Sequence, residues 1–239
     1  MSSKFAGKVA LIAGGTGGLG RAVAVGFLGE EATVVVTYVK AEEFAGLKSA
    51  SGKDGSRLQG HQVDVTSESA VGELVDRLVA EHGKIDILVN SVGAYAGGPK
   101  LWETAPSVFE TMLSLNLRSG YVLSGAVGKA MLRQKSGSIV NIASKAAFDH
   151  AAGASAYVAS KAAAVAMIDS LAEELRGTGV RVNSILPSII DTPANRRAMP
   201  GADFSKWPKP EDIAKVILFL CGDDASVIHG ASIPVYGSE

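Results

Sequence analysis

The stretch Lys8–Gly20, KVALIAGGTGGLG, decides the fold. Its first part, up to Ala13, is a short apolar run of the kind that forms a buried strand. The glycines that follow permit a tight turn and a close approach of the backbone to a ligand. The next residues, Gly20–Leu28, have the apolar spacing of a helix. Because unpaired N–H groups at the start of a helix attract anions, this unit predicts a phosphate-binding turn.

Strands and helices alternate along the rest of the chain. We predict strands at Lys8–Ala13, Ala32–Thr37, Gly60–Val65, Ile85–Asn90, Ser138–Ile142, Val180–Leu186 and Ser232–Val235. We predict helices at Gly20–Leu28, Ser67–His82, Val108–Met131, Tyr157–Arg176 and Glu211–Leu220. This alternation predicts an α/β, single-domain Rossmann fold over residues 1–239, with a doubly wound parallel sheet of about seven strands and helices on both faces. Residues 189–210 have no clear period, and we predict a substrate lid there.

Composition and charge exclude several classes of protein. Of the 239 residues, 47% are hydrophobic, and the net charge of −1 comes without a basic stripe, so we expect a packed domain with no nucleic-acid partner. No run approaches about 18 apolar residues, so we expect no membrane span. Cys221 is the only cysteine, and no secretory leader is recognisable, which favours a cytoplasmic location. The four histidines lack metal-ligand spacing, so we expect no metal site.

The end of the second strand bears on the choice of nucleotide. An acidic residue there binds a ribose 2′-hydroxyl and favours NAD, whereas a cation suits the 2′-phosphate of NADP. The sequence reads VVVTYVK, with no acid before Glu42 and with Lys40 as the nearest charge. We therefore predict a preference for NADP over NAD.

Two residues in the YVASK stretch have the spacing of a reaction centre. Tyr157 and Lys161 lie four apart on a predicted helix and so share one face. A cation near a phenol lowers the phenol's pKa, by about 3 units at about 4 Å and an effective dielectric near 20. A phenol adjusted in this way exchanges protons with a carbonyl oxygen near neutral pH.

Several motifs, taken in order over essentially the whole chain, resemble the short-chain dehydrogenase/reductase family. The family's T-G-x-x-x-G-x-G appears as AGGTGGLG, its N-N-A-G as NSVG, its Y-x-x-x-K as YVASK, and its P-G-x-x-x-T as PSIIDT. The departures are Ala13 for threonine, Ser91 and Val92 in the second motif, and Ser188 for glycine. They fall in the loops that support the cofactor in the family.

The resemblance implies which residues form the site. It implies a catalytic set of Asn116, Ser144, Tyr157 and Lys161. With the charge argument for Lys40, it implies that the nucleotide contacts Gly14, Thr16, Gly18, Leu19, Gly20, Lys40, Asp64, Val65, Asn90, Gly93, Tyr157, Lys161, Pro187, Ile190 and Thr192. In these roles Tyr157 is the general acid or base, Ser144 binds the substrate oxygen, Lys161 binds the nicotinamide ribose, and Asn116 holds a water.

The function implied is hydride transfer between NAD(P) and a small-molecule carbonyl or secondary alcohol. Two alternatives stay open. The lid, Asp191–Trp207, resembles the matching segment of dihydropteridine reductases, which lack the serine supplied here by Ser144. The altered motifs also leave room for an NADP-binding regulator without turnover.

The resemblance also implies an assembly. Small residues are frequent in the predicted helices Val108–Met131 and Tyr157–Arg176, and they permit close helix approach. Family members commonly pair these helices across a two-fold axis. We expect a homotetramer or a homodimer.

Overall fold

Seven parallel strands form one sheet with the order β3-β2-β1-β4-β5-β6-β7. The computed structural model describes residues 3–238. The strands are β1 Val9–Ala13, β2 Thr33–Tyr38, β3 Leu58–Gln62, β4 Ile87–Asn90, β5 Gly137–Ile142, β6 Val180–Pro187 and β7 Ser232–Val235. The helices are α1 Gly18–Gly29, α2 Ala41–Ala50, α3 Glu68–His82, α4 Pro106–Leu113, α5 Ser119–Gln134, α6 Ser155–Leu175, α7 Pro193–Ala198 and α8 Pro210–Cys221.

Helices cover both faces of the sheet, and each face has its own core. On one face, α1 and α8 pack through Phe27 and Ile217 against β-branched strand residues such as Val34 and Val140. On the other, α3, α5 and α6 pack through residues such as Leu123 and Ile168. Burial on both faces explains why the strands are apolar throughout instead of alternating. The predicted single-domain, doubly wound α/β fold is confirmed.

The strand order reverses direction between β1 and β4, next to the glycine turn. At such a point the loops that leave the carboxyl ends of adjacent strands diverge to opposite faces and open a crevice for a ligand. The β1–α1 turn and the loop after β4 flank this crevice. The topology therefore places the predicted phosphate turn and the predicted N-S-V-G loop side by side.

The predicted long helix Val108–Met131 is wrong as a continuous α-helix. A π-helical segment, Ser114–Arg118, separates α4 from α5. Asn116 lies in the middle of this segment, and its side chain is buried. A π segment adds a residue to the turn, which re-aims the side chains within it and often marks a functional position.

Three other predicted boundaries need correction. The third strand runs over Leu58–Gln62 instead of Gly60–Val65, because it pairs in register with Val34–Tyr38 and the chain turns away after Gln62. Helix α2 was not predicted, since AEEFAGLKSA has few apolar residues and buries only Leu47. The predicted irregular lid contains α7 and a 3-10 turn, Phe204–Lys206.

Within residues 3–238, no helix is long and apolar enough to cross a membrane. Over the same residues, no group of three or more His, Cys, Asp or Glu side chains is arranged to hold a metal ion.

Candidate active site

The glycine turn is shaped by backbone that leaves no room for side chains. Gly14 has φ +71, a left-handed conformation that favours glycine. A Cβ on Gly20 would lie 2.2 Å from the carbonyl oxygen of Gly14, and one on Gly18 would lie 2.7 Å from Cγ2 of Thr192. The turn is therefore folded tightly against the start of α1 and against the residue that begins α7.

The start of α1 has no side-chain cap. Its N-cap residue is Gly17, which has no side chain to accept a hydrogen bond. The first N–H groups of a helix need partners from outside it, and a phosphate supplies them. The cradle fits the pyrophosphate of a dinucleotide, with Gly14, Thr16, Gly18, Leu19 and Gly20 around it. Leu19 differs from the rest because its side chain is buried in the core.

Ser91 connects two of the motif departures. Its hydroxyl donates to the carbonyl oxygen of Ala13 at 2.7 Å and contacts that of Gly14 at 3.2 Å. At this junction, where the family motif carries a threonine at position 13, the Ser91 hydroxyl links the β4 loop to the glycine turn.

Asn116 holds the β4 loop against α6. Its Oδ1 accepts from Ala94 N at 2.9 Å, and its Nδ2 donates to Ala94 O at 3.0 Å and to Ser160 Oγ at 2.9 Å. Ser160 in turn donates to the carbonyl oxygen of Tyr157 at 2.7 Å. The Asn116 side chain is therefore a clamp on the loop. Its holding of a water stays a prediction.

Gly93 lies between the side chains of Asn116 and Lys161. A Cβ there would be 2.8 Å from Oδ1 of Asn116 and 3.2 Å from Nζ of Lys161. The predicted catalytic and nucleotide-binding residues Gly93, Asn116 and Lys161 are thus brought together.

Lys161 is a fully buried cation. Its Nζ donates to the carbonyl oxygen of Ile142 at 3.0 Å. Burial lowers the pKa of the Lys161 ammonium to about 8. An ammonium in this environment loses its proton more easily than one in water.

The predicted lowering of the Tyr157 pKa by Lys161 is wrong for this structure. Burial raises the pKa of Tyr157 above its ordinary value, and the neighbouring Tyr95 acts in the same direction. A hydrogen bond with the Ser144 side chain opposes them. Sequence spacing placed the two residues on one helix but did not show that the Tyr157 phenol would be desolvated. The Lys161 ammonium is directed to Ile142 instead.

Ser144 stands between β5 and α6. Its Oγ accepts from Ala146 N at 3.1 Å, which orients the hydroxyl at the start of a 3-10 turn. The side chain is nearly buried. A hydroxyl fixed beside the Tyr157 phenol can share a substrate oxygen with it.

Tyr95 was not among the predicted catalytic or nucleotide-binding residues, although the region around Tyr95–Trp102 was expected to help decide the substrate. Its ring meets that of Tyr157 edge to face, with centroids 5.0 Å apart. It lines a cavity of about 390 Å³, formed mainly by small residues of the β4 loop and of the start of α6, with Glu103 as the one acid. Gly98 N donates to Gly153 O at 2.8 Å and ties these two loops together. The only sequence signal for Tyr95 was its position two residues after the N-S-V-G motif.

The remaining predicted nucleotide contacts lie on the same rim of the sheet. Asn90 ends β4 and donates to Oδ1 of Asn141 at 3.0 Å, and Pro187 ends β6. Asp64 and Val65 follow β3, and the Asp64 carboxylate accepts from Thr66, which lowers the pKa of Asp64.

The last three predicted contacts follow β6 and β2 on this rim. Ile190 accepts a hydrogen bond from Asn195 through its carbonyl oxygen, and Thr192 is the N-cap of α7. Lys40 is exposed at the N-cap of α2, next to the glycine turn and not to the catalytic group. This spread suits an extended ligand.

Comparisons with known proteins agree with this arrangement. Residues 8–202 match the family model described as short chain dehydrogenase. A 3-oxoacyl acyl-carrier-protein reductase of Thermotoga maritima is 32% identical, over 98% of this chain and 98% of its own length.

Among solved structures, an NAD⁺-bound xylitol dehydrogenase superposes with a TM-score of 0.91 at 28% identity, covering 98% of this chain and 99% of that one. A structure described as ElxO with NADP bound gives a TM-score of 0.91 at 27% identity, covering 96% and 97%. The two nucleotides are thus both represented among proteins of this shape.

Proposed function

Since this chain belongs to the short-chain dehydrogenase family and is an NAD(P)-dependent oxidoreductase, we propose that it interconverts a carbonyl and a secondary alcohol with Tyr157 as the general acid and base. The observation that carries the proposal is the convergence of Tyr157, Ser144, Lys161 and Asn116 at the rim of the sheet beside the glycine turn. When bound, the nicotinamide nucleotide supplies or accepts the hydride.

In the proposed mechanism the phenol of Tyr157 gives its proton to the carbonyl oxygen during reduction and takes it back during oxidation. Ser144 donates a hydrogen bond to the same oxygen and stabilises the charge that develops on it. Lys161, protonated below a pKa of about 8, supplies positive charge near this centre and binds the nicotinamide ribose. Asn116 fixes the loop that carries Gly93 and Ala94.

We propose NADP as the preferred nucleotide, with Lys40 as the cation for the 2′-phosphate. Lys40 is exposed beside the glycine turn, immediately after β2, which is where the adenosine ribose lies in Rossmann domains. The predicted nucleotide contacts, from Gly14 through Thr192, make up the rest of this proposed site.

The substrate in this proposal is a small neutral ketone or alcohol that enters beside Tyr95. The cavity at Tyr95 is lined mainly by small apolar residues, and residues 189–210, which include α7, form the proposed lid. We propose a homotetramer or homodimer, because Leu117 of the π segment, Tyr121 of α5 and Met167 of α6 form a partly exposed apolar face. A cytoplasmic location is also proposed, in keeping with the single, buried thiol of Cys221.

The experiment that tests the reaction is Tyr157→Phe, assayed with a panel of β-keto esters, cyclic ketones and polyols and with both nucleotides. We expect turnover to fall by at least about a thousandfold, since the proton donor is lost, while nucleotide affinity changes little. Tyr95→Phe is the matched control, because it removes a neighbouring phenol that has no proposed proton to transfer. Unchanged turnover in Tyr157→Phe contradicts the proposal. Nucleotide binding by the wild type without turnover of any substrate favours the regulator instead.

A further inference from the structure

Glu43, in the first turn of α2, reaches back to the glycine turn. Its Oε2 accepts a hydrogen bond from Thr16 Oγ1 at 3.1 Å. Its Oε1 lies 3.5 Å from Nζ of Lys40. One carboxylate therefore contacts both the phosphate turn and the cation that was predicted to bind a 2′-phosphate.

The contact of Glu43 with Thr16 was not predictable from the spacing of residues in the sequence. The end of β2 carries no acid, and the first acids after it, Glu42 and Glu43, fall on a helix that the sequence pattern did not reveal. Because α2 begins at Ala41, directly after its N-cap Lys40, its first turn lies beside the β1–α1 turn. An acid at this place can accept hydrogen bonds from ribose hydroxyls and repels a 2′-phosphate.

The start of α2 is held in place by aromatic packing. The rings of Tyr38 and Phe44 stack with centroids 4.9 Å apart and an interplanar angle of 5°. The Phe44 ring also covers Gly60 of β3, where an added Cβ would lie 2.4 Å from it. The helix cannot retreat from the glycine turn without breaking this packing, so the Glu43 charge remains next to Thr16.

The other nearby cation does not replace Lys40. Arg21, on α1, donates through Nη2 to the carbonyl oxygen of Gly46, farther along α2 in a separate contact. The charge seen by a 2′-substituent is thus set mainly by Lys40 and Glu43, which are both more than 40% exposed.

We propose that Glu43 sets the choice between NAD and NADP by offsetting Lys40. This rests on the proposed function, because it concerns the nucleotide used in that reaction. With the carboxylate in place the preference for NADPH over NADH is weak, because Glu43 partly neutralises Lys40. Without it, Lys40 is released to pair with a 2′-phosphate and the preference for NADPH strengthens.

The test is nucleotide binding to the purified, full-length protein, without turnover. Wild type, Glu43→Gln and Glu42→Gln are titrated with NADPH and with NADH, and the Kd values are taken from nucleotide fluorescence. Glu42→Gln is the matched control, because it removes the same charge from the same helical turn and the same favourable interaction with the helix dipole. In Glu43→Gln the introduced amide oxygen still accepts from Thr16, so the turn keeps its hydrogen bond.

We expect Glu43→Gln to tighten NADPH binding roughly fivefold, the size expected for one partly screened charge near a phosphate, with NADH tightened less than about twofold. Glu42→Gln should shift the ratio of the two Kd values less than about twofold. Equal shifts in the two variants, or no shift in Glu43→Gln, overturn the inference and leave the proposed reaction standing. Failure of the wild type to bind either nucleotide overturns both.

Discussion

A half-buried phenol and a buried ammonium, whose pKa values move in opposite directions, face the same site. Burial raises the pKa of Tyr157 and lowers that of Lys161, because in each case it disfavours the charged form. At neutral pH this environment favours a protonated phenol. Tyr157 is thereby suited to donate a proton, which is the direction of carbonyl reduction.

The raised pKa of Tyr157 predicts an asymmetric pH dependence. Reduction uses the protonated phenol and should be nearly independent of pH over roughly 6 to 7, below the pKa of about 8 at which Lys161 loses its charge. Oxidation uses the phenolate and should rise with pH over the same range. Ser144→Ala removes the hydrogen bond that lowers the Tyr157 pKa, so the oxidation profile should move to higher pH and reduction should slow by about a hundredfold. Steady-state rates across pH in both directions test this. Ser136→Ala, an exposed serine at the amino end of β5, serves as the control. A shift of the Ser144→Ala profile to lower pH would refute the prediction.

The lowered pKa of Lys161 predicts a pH dependence of stability. The unfolded lysine titrates at 10.5 and the folded one at about 8, so between these values the unfolded chain binds more protons. Folding stability should therefore rise by about 3 kcal/mol from pH 8 to 10.5 on account of this group, and its cost is fully present below pH 8.

Lys161→Met removes that contribution. The free energy of unfolding of the variant minus that of the wild type should fall by about 3 kcal/mol as pH rises from 8 to 10.5, measured by urea denaturation at fixed pH values. Lys129→Met, which removes an exposed lysine, is the control. A pH-independent difference for Lys161→Met would show that the ammonium is not desolvated.

The sequence predicted which side chains form the candidate reaction centre, but it did not predict the direction of the Tyr157 pKa shift. The spacing of Tyr157 and Lys161, with Ser144 before them, was enough to nominate a reaction centre. The direction of the Tyr157 shift depends on the solvent that Tyr95 and the β4 loop exclude, and no local pattern records that. Glu43 was missed for a related reason, since its contact with Thr16 requires knowledge of where α2 begins.

Among helices and strands, those with strong apolar periodicity were predicted well. The strand–turn–helix at Lys8–Gly20 and the helix Glu68–His82 lie close to where the sequence placed them. The π segment at Ser114–Arg118 escaped notice because its apolar spacing continues that of the flanking helices. Asn116 within it is distinguished by its contacts with Ala94, Ser160 and the Met112 sulfur.

The junction of β1 with the β4 loop depends on one hydroxyl. Ser91→Ala leaves the carbonyl oxygens of Ala13 and Gly14 without that donor, at a cost of about 1–2 kcal/mol. We expect the Tm to fall by about 2–6 °C and nucleotide affinity to fall several-fold, with kcat at saturating nucleotide nearly unchanged. Thermal unfolding and nucleotide titration measure these effects.

Ser56→Ala is the control for that variant. Its hydroxyl also donates to a backbone carbonyl, of Lys53 at 3.2 Å, but at the amino end of β3. If the two variants behaved alike, the loss in Ser91→Ala would reflect a generic hydrogen bond and not the setting of the glycine turn.

Across the whole fold, the apolar face on α5 and α6 is the place where copies of the chain are expected to meet. Tyr121 is 68% exposed there, beside Leu117 and Met167. We predict that the wild type runs as a dimer or tetramer of the 24.5 kDa chain in light scattering and that Tyr121→Glu lowers the mass, because it buries a charge in an apolar contact.

A second exposed apolar residue of α5 provides the control for that experiment. Leu132→Glu, at the far end of the helix, adds the same charge outside the apolar face and should leave the mass unchanged. A monomeric wild type at micromolar concentration would contradict the assembly.

The placement of every site loop at the carboxyl rim of the sheet leaves the other rim free for engineering. The turn at Gly83, between α3 and β4, has φ +76 and open space where a Cβ would be, and it lies at the amino end of its strand. A cysteine introduced beside it is an attachment point for immobilising the enzyme on a solid support. Anchored there, the catalyst would present its nucleotide crevice to the solution and could be recycled with a regenerating partner enzyme on the same bead.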